Sequence, residues 1–398
     1  MSSLCDSSSR NSRLDVGPPA QVRRRGSLLP LLALDLGICM LVASEFLPAS
    51  VLPGMAADLG VSEGTAGLAV AATAVAGAVT APSIAVVLPR ADRRLVLLGL
   101  LLAATIADLA VALAPGFAVM LVGRLLLGVA IAGYWSFAFG AGIQALPGRE
   151  RLVSTSLSVG VSVATIIAVP LASIGADRAG WRPVFGVAAA LTAVSLVLLA
   201  LVFPPVPAHP SAGLAMMRSA LRNPLLIAGL VFIVVAVFGN FVAYPYIRLA
   251  IMRVAPDGSA WLLLAWGLGG LLGNLAAGAL AKRLTLATAV APILLSGSLA
   301  VTAYAVGVPM LAVGIVVWGL AFSMMPVTTQ LWVARAEREH TESAMSLQVA
   351  AFQTAITVGS AVGGAVVDGH GVSAALVLGA AVAVVSGVGF AVLRTPRT

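Results

Sequence analysis

The stretch RRRGSLLPLLALDLGICMLVASEFLPAS, residues 23–50, opens with three arginines and continues as an almost unbroken apolar run. A helix rises about 1.5 Å per residue and the hydrocarbon core of a bilayer is about 30 Å thick, so about 20 apolar residues cross it. The run outlasts the apolar core of a signal peptide and many more follow it, so it reads as an uncleaved first span. Two carboxylates, Asp35 and Glu45, lie inside it.

The alternation of basic gap and apolar run continues along all 398 residues. A soluble domain carries about 25% charged residues; this chain carries 10%, is 60% hydrophobic and has a mean hydropathy of +1.06. Backbone groups in lipid are satisfied only in helices or closed barrels. The runs are too long and too uniformly apolar for barrel strands. The spacing predicts an all-α membrane protein with twelve transmembrane helices, over 28–52, 64–88, 95–114, 117–144, 152–175, 183–203, 224–247, 260–281, 285–306, 309–332, 343–366 and 372–393. Residues 1–27, rich in Ser, Arg and Pro, read as a disordered cytoplasmic N-terminus. Residues 28–203 form a first six-helix bundle and 224–393 a second. Between them, 204–223 is a cytoplasmic central loop whose SAGLAMMRSALRN reads as an amphipathic surface helix. Residues 394–398 are a tail.

Arginine marks the topology. With this threading, eighteen of the 23 basic residues fall in every second gap, on the side of both chain ends. Arg178, Arg182, Arg248 and Arg253 lie near the opposite ends, and Arg124 alone falls inside a span. The asymmetry predicts cytoplasmic termini. The net charge of +8 is dispersed over short loops, which argues against a nucleic-acid partner. Cys5 and Cys39 suit neither a disulfide framework nor a metal site. His209, His340 and His370 sit in gaps. The single lysine, Lys282, is followed by arginine, so no phosphate-binding GK[ST] loop exists. No cofactor, metal or catalytic constellation is expected. Uphill movement of a solute would draw on an ion gradient.

A weak internal repeat pairs IGADRAGWRPVF (174–185) with AVVDGHGVSAAL (365–376). Asp177 and Gly180 recur as Asp368 and Gly371, 191 residues on. Parallel six-span repeats mark one class of transporters.

Charges within spans are expensive and are functional candidates by default. Glu45, Asp108 and Arg124 are expected at one level in the outer half, where a Glu45–Arg124 pair, joined by Asp108, would neutralise the buried charge. Asp35 lies in the inner half, away from them. One reading is a proton-linked switch, in which desolvation and a nearby cation oppose each other on the carboxylate. The other is a static ion pair that fixes helix packing. For Asp108, contact with outer water competes; for Asp35, contact with inner headgroups. Arg124, Gly128, Ile131 and Trp135 form one stripe of span four, where Trp135 also suits an interfacial aromatic belt. Trp318, near the midplane of span ten, either stacks on a planar substrate or packs against a neighbour. Asn240 and Tyr244 share a face of span seven. These two, Gln348, Gln353 and Asn274 either bond substrate or join helices. Gly269/Gly273 and Gly359/Gly363 are GxxxG pairs permitting close helix contact.

GRLLLGVAIAG (123–133) resembles the span-four signature of the major facilitator superfamily, with Arg124 at its arginine. LPRADRR (88–94) is similar to its loop between spans two and three, through Asp92 and Arg93; the leading glycine and the later Gly-Arg are absent. Span five retains Pro170 of the antiporter motif without the neighbouring glycines. Within the proton-linked drug-efflux branch, EFLPASVLPGMAADLGVSEGTAG, GYWSFAFG, GWRPVF, YIRLA, VVWGLAF and SLQVAAFQ resemble the members that export purine ribonucleosides. EFLP and GWR are shared with sugar exporters. The resemblance covers about residues 28–393. It implies two pseudo-symmetric halves in a bacterial plasma membrane and a monomer that exports a small molecule such as inosine or guanosine in exchange for protons. It also implies a cavity lined by spans one, four, seven and ten. Glu45 would respond to protons, Arg124 would be its counter-charge and substrate anchor, and Trp318 a stacking surface. Trp135, Gln348 and Gln353 match motif positions, and Asp92 and Arg93 a conformational loop. A sugar or multidrug exporter, a passive channel, and a sensor or scaffold that moves nothing are the competing readings.

Overall fold

The computed structural model describes residues 28–88, 90–207, 220–338 and 341–393. The segments expected as a disordered N-terminus and a C-terminal tail, and most of the expected amphipathic surface helix, lie outside the described residues.

Among the described residues, twelve long helices cross the molecule. They are α1 (Leu29–Leu59), α2 (Leu68–Val87), α3 (Arg93–Ala112), α4 (Phe117–Ala145), α5 (Glu150–Val163, continuing through a π turn into Val169–Ala179) and α6 (Trp181–Val202). The second set is α7 (Pro224–Ala243), α8 (Ser259–Ala279), α9 (Leu284–Ala303), α10 (Val308–Ala336), α11 (Thr341–His370) and α12 (Val372–Val392). By length and composition 11 segments suffice to cross a membrane, one of them the 45-residue stretch Ser259–Ala303. That stretch turns at a 3-10 segment, Leu280–Arg283, which carries Lys282 and Arg283, and so supplies two crossings.

The two halves repeat one packing scheme. In the first, α2 and α3 pack on α4, α3 and α1 on α6, and α1 on α5; in the second, α8 and α9 pack on α10, α9 and α7 on α12, and α7 on α11. The halves meet through α2 against α11 and α5 against α8, which are equivalent pairs. The offset of 191 found in the sequence has a structural cause. Gly180 and Gly371 end α5 and α11 with φ of 84° and 82°, a conformation that side chains resist.

Small residues set the helix spacings. A Cβ at Gly128 on α4 would lie 2.1 Å from Thr73 O on α2. Its counterpart 191 residues on, Gly319 of α10, would meet Trp266 O of α8 at 1.9 Å. Gly269 and Gly273 face Val316 O and Leu320 O, and Gly363 faces Val242 O, so the GxxxG pairs do sit at helix contacts. Gly319→Ala is therefore expected to force α8 and α10 apart, costing about 1–3 kcal/mol or more. A lowered melting temperature and aggregation in detergent would show it, whereas Gly140→Ala, which meets nothing, should be silent.

Two of the boundaries that differ from expectation involve prolines. Instead of ending near residue 52, α1 runs on through Pro48 and Pro53 to Leu59. Prolines are tolerated inside spanning helices when neighbours satisfy the carbonyls they free, and at Pro48 a neighbour does. Helix α7 breaks earlier than expected, into a 3-10 turn Tyr244–Tyr246 around Pro245, then resumes as Ile247–Met252.

Candidate functional site

Pro48 has no N–H, so the carbonyl of Ser44, one turn earlier in α1, lacks its helical partner. The fully buried Arg124 of α4 fills that vacancy, donating from Nη1 to Ser44 O at 2.8 Å. Its Nη2 donates to Glu45 O at 3.0 Å and its Nε to Ala69 O, at the base of α2, at 3.1 Å. One guanidinium thus clamps α1, α2 and α4. Ser44 turns its hydroxyl the other way, donating to Asp108 Oδ2 on α3 at 2.6 Å. Asp108 is buried and its Oδ1 has no partner.

The expected Glu45–Arg124 ion pair is replaced by this arrangement. Ion pairs form between Arg182 and Asp58 and between Arg248 and Asp177, and neither involves Glu45 or Arg124. Arg124 lies in electrostatic reach of both Asp108 and Glu45, but its hydrogen bonds go to main-chain oxygens. The reason is local: Ser44 O, freed by Pro48, needs a donor, and every guanidinium nitrogen meets a carbonyl. Three of the five guanidinium N–H groups are thereby engaged with main chain. Glu45 is half-buried, and no hydrogen bond or ion pair engages its carboxylate among the described residues.

Beside Glu45, Phe46 carries the site across to the second half. Its ring stands edge-on to Tyr244 of the turn after α7 (5.3 Å between centroids), Trp266 of α8 (6.3 Å) and Phe322 of α10 (6.4 Å). Phe322 stacks on Tyr244 at an interplanar angle of 13° and on Trp266 at 24°. Phe241 closes the cluster against Tyr244 and Phe322. Trp318 Nε1 donates to Asn240 Oδ1 at 2.8 Å. An indole N–H only donates, so this bond fixes the amide's orientation and leaves Asn240 Nδ2 unpartnered. Tyr244 OH and Trp266 Nε1 are buried and unpartnered as well. Unsatisfied buried donors cost about 1–3 kcal/mol each and call for an explanation; a ligand rich in acceptors supplies one.

The remaining candidates sit elsewhere. Trp135 is exposed at 41% and no ring contact joins it to the cluster. Gln348 donates to Thr329 Oγ1 at 2.9 Å, joining α11 to α10. Gln353 packs where α11 meets Gly77 of α2. Both positions suit helix joining. Asp35, three turns from Glu45, accepts from Ser156 Oγ of α5 and stays apart, as expected. Asp92 caps α3 through Arg94 N at 2.8 Å, and Arg93 lies 4.3 Å over the Phe137 ring while bonding Leu88 O. These loop contacts lie within the first half. Pro170 follows the π turn Ala164–Ala168, against which Gly267 of α8 packs. Sequence reading missed Phe46 and Trp266 in the cluster. Their signals were adjacency to Glu45 and an aromatic one helix face from the GxxxG of α8.

The profile of the Major Facilitator Superfamily matches residues 34–252 and 226–398. The chain belongs to the major facilitator superfamily. That membership makes it a multi-pass membrane transporter of small molecules rather than an enzyme. Among curated relatives, the purine ribonucleoside efflux pump NepI of Salmonella paratyphi B is 34% identical over 347 residues, spanning 86% of this chain and 87% of the relative. NepI of Salmonella typhimurium matches to the same extent. Among solved structures, an inward-facing, unoccupied bacterial homologue of the human lysosomal transporter Spinster superposes with a TM-score of 0.70 at 16% identity. It covers 91% of this chain and 94% of the other, and confirms the fold.

Proposed function

We propose that the protein exports a purine ribonucleoside, or a close analogue, in exchange for protons, each chain working as a monomer with both termini in the cytoplasm. The observation that carries this reading is the unpaired, half-buried carboxylate of Glu45 next to an aromatic cluster shared by the two halves. The stacked faces of Tyr244, Phe322 and Trp266 suit a planar heterocycle. The free donors on Asn240, Tyr244 and Trp266 suit its ring nitrogens and carbonyl. Glu45 supplies the proton-accepting group and the acceptor for ribose hydroxyls, so proton and solute compete for one carboxylate. The efflux direction and the purine class rest on the names of the relatives and on the matching EFLP, WGLAF and QVAAFQ segments. The cytoplasmic placement of the termini rests on the eighteen basic residues on that side.

Transport in inverted vesicles acidified inside tests this reading. Inosine and guanosine are expected to enter the vesicles and drive protons out, with uncouplers abolishing accumulation. An absence of nucleoside-dependent proton movement at every pH overturns the purine assignment. A proton response to sugars or amphiphilic drugs would assign the site to those exporters.

A further inference from the structure

Two carboxylates that the proton site does not use stand at matched places in the repeat, Asp177 near the end of α5 and Asp368 near the end of α11. Each reaches into the other half. Asp368 Oδ2 accepts from Ser62 Oγ at 2.6 Å, and its Oδ1 accepts from Gly64 N at 2.9 Å. Asp177 Oδ1 pairs with Arg248, which follows α7. The same guanidinium bonds Ser50 O of α1 through Nη1. We propose that Asp177 and Asp368 are paired latches that hold the halves together at the face opposite the chain ends, positioning the transporter in the state closed on that side.

Several independent contacts favour a latch over incidental surface polarity. Hydrogen bonds between the two halves gather at this face: Asp368 with Ser62 and Gly64, Arg248 with Ser50 and Asp177, and Tyr246 OH with Gly64 O at 3.2 Å. Arg248 is the buried member of its pair, with a side chain only 8% exposed against 57% for Asp177. A buried guanidinium without a carboxylate is costly, so parting the halves must hydrate it. Beside the Asp368 latch the backbones touch. A Cβ on Gly364 of α11 would lie 2.5 Å from Gly64 O, and one on Gly64 would lie 2.1 Å from Gly364 O. A contact that tight forms only when the halves are closed here. The carboxylates thus sit at the rim, where they can exchange a protein partner for water at little cost. That is what a reversible closure needs and what a permanent buried pair would prevent.

The latches also divide the work asymmetrically. Asp368 holds main chain and a hydroxyl, contacts that distance alone breaks. Asp177 holds a charge, so its release leaves Arg248 needing water or another anion. Opening at this face is therefore expected to begin on the Asp368 side, where α2 meets α11.

Distance measurements between spin labels on Ala57→Cys and Asp257→Cys, in full-length protein with Cys5 and Cys39 replaced by serine, test the proposal without any substrate. The outcome is thus separate from that of the purine reading. Both label sites are exposed, one on α1 and one between α7 and α8. The parent protein should show one short-distance population. Asp177→Ala and Asp368→Ala should each raise the ratio of long to short distances by about fivefold, the change expected from losing one modest interaction. Ser62→Ala, which alters the partner and leaves the carboxylate, should move the ratio in the same direction. Gly364→Val should give the largest long-distance fraction, because the side chain wedges the backbones apart. An unchanged distribution in the Asp177→Ala/Asp368→Ala double variant, with Gly364→Val also unchanged, would overturn the latch.

Discussion

Glu45→Gln is expected to yield a folded transporter that equilibrates its solute but no longer concentrates it. Glutamine fills the same volume, and the three hydrogen bonds that tie Arg124 to α1 and α2 use main-chain oxygens, which the substitution leaves in place. Melting should therefore stay near that of the parent, within the usual range of about 0.5 kcal/mol for a change away from buried networks. Function should change far more. A proton drives exchange only if one state binds it better than the other, and a site without a titratable group shifts nothing. For one-for-one exchange, a gradient of one pH unit sustains about a tenfold solute gradient. The variant should sustain none, while counterflow of solute across the membrane continues. The pH dependence of uptake should flatten as well. Retained accumulation in Glu45→Gln would move the coupling to Asp108, whose unpartnered Oδ1 makes it the next candidate.

Much of the fold was legible because a bilayer leaves the chain few options. The basic gaps fixed the number of crossings, and the offset of 191 between Asp177–Gly180 and Asp368–Gly371 reported a real equivalence of the halves. That equivalence extends to Gly128 and Gly319, whose close contacts the repeat alone did not reveal. Helix ends were less legible. Pro48, Pro53 and Pro245 read alike, yet α1 continues through two of them while α7 turns at the third. At Pro48 the donor that replaces the lost N–H is Arg124, which comes from another helix altogether.

At the site, chemistry was easier to read than geometry. Placing Glu45, Asp108 and Arg124 at one level was sound, since Ser44 and its neighbour link all three. The direct ion pair was the natural inference from charge alone. It failed because charge reasoning ignored the carbonyl freed by Pro48, which the guanidinium satisfies instead. Trp318 illustrates a second limit. Its place near the midplane allowed either stacking or packing, and only the bond to Asn240 shows that it orients an amide. Phe46 and Trp266 carry no polar signal strong enough to single them out of an apolar run. They become candidates only when the fold brings them around Tyr244 and Phe322.

Arg124→Ala should be the most damaging single change, and the damage should be structural before it is functional. Removing the guanidinium strips donors from Ser44 O, Glu45 O and Ala69 O, of which Ser44 O has no helical alternative. It also withdraws the cation nearest Asp108, leaving a buried carboxylate held by one serine hydroxyl. Leaving buried hydrogen-bonding groups without partners typically costs about 1–3 kcal/mol for each group. A fall in melting temperature on the order of 10 °C follows for a protein of this size. Arg124→Lys keeps the charge but cannot reach three carbonyls on two helices from one nitrogen, so it should fall between the parent and alanine. The double variant Arg124→Ala/Asp108→Asn separates the two contributions. If uncompensated charge dominates, neutralising Asp108 should recover about 1–3 kcal/mol relative to the sum of the single changes. If the unmet carbonyls dominate, the effects should simply add, and Pro48→Ala, which restores a helical N–H to Ser44 O, should be the substitution that rescues Arg124→Ala.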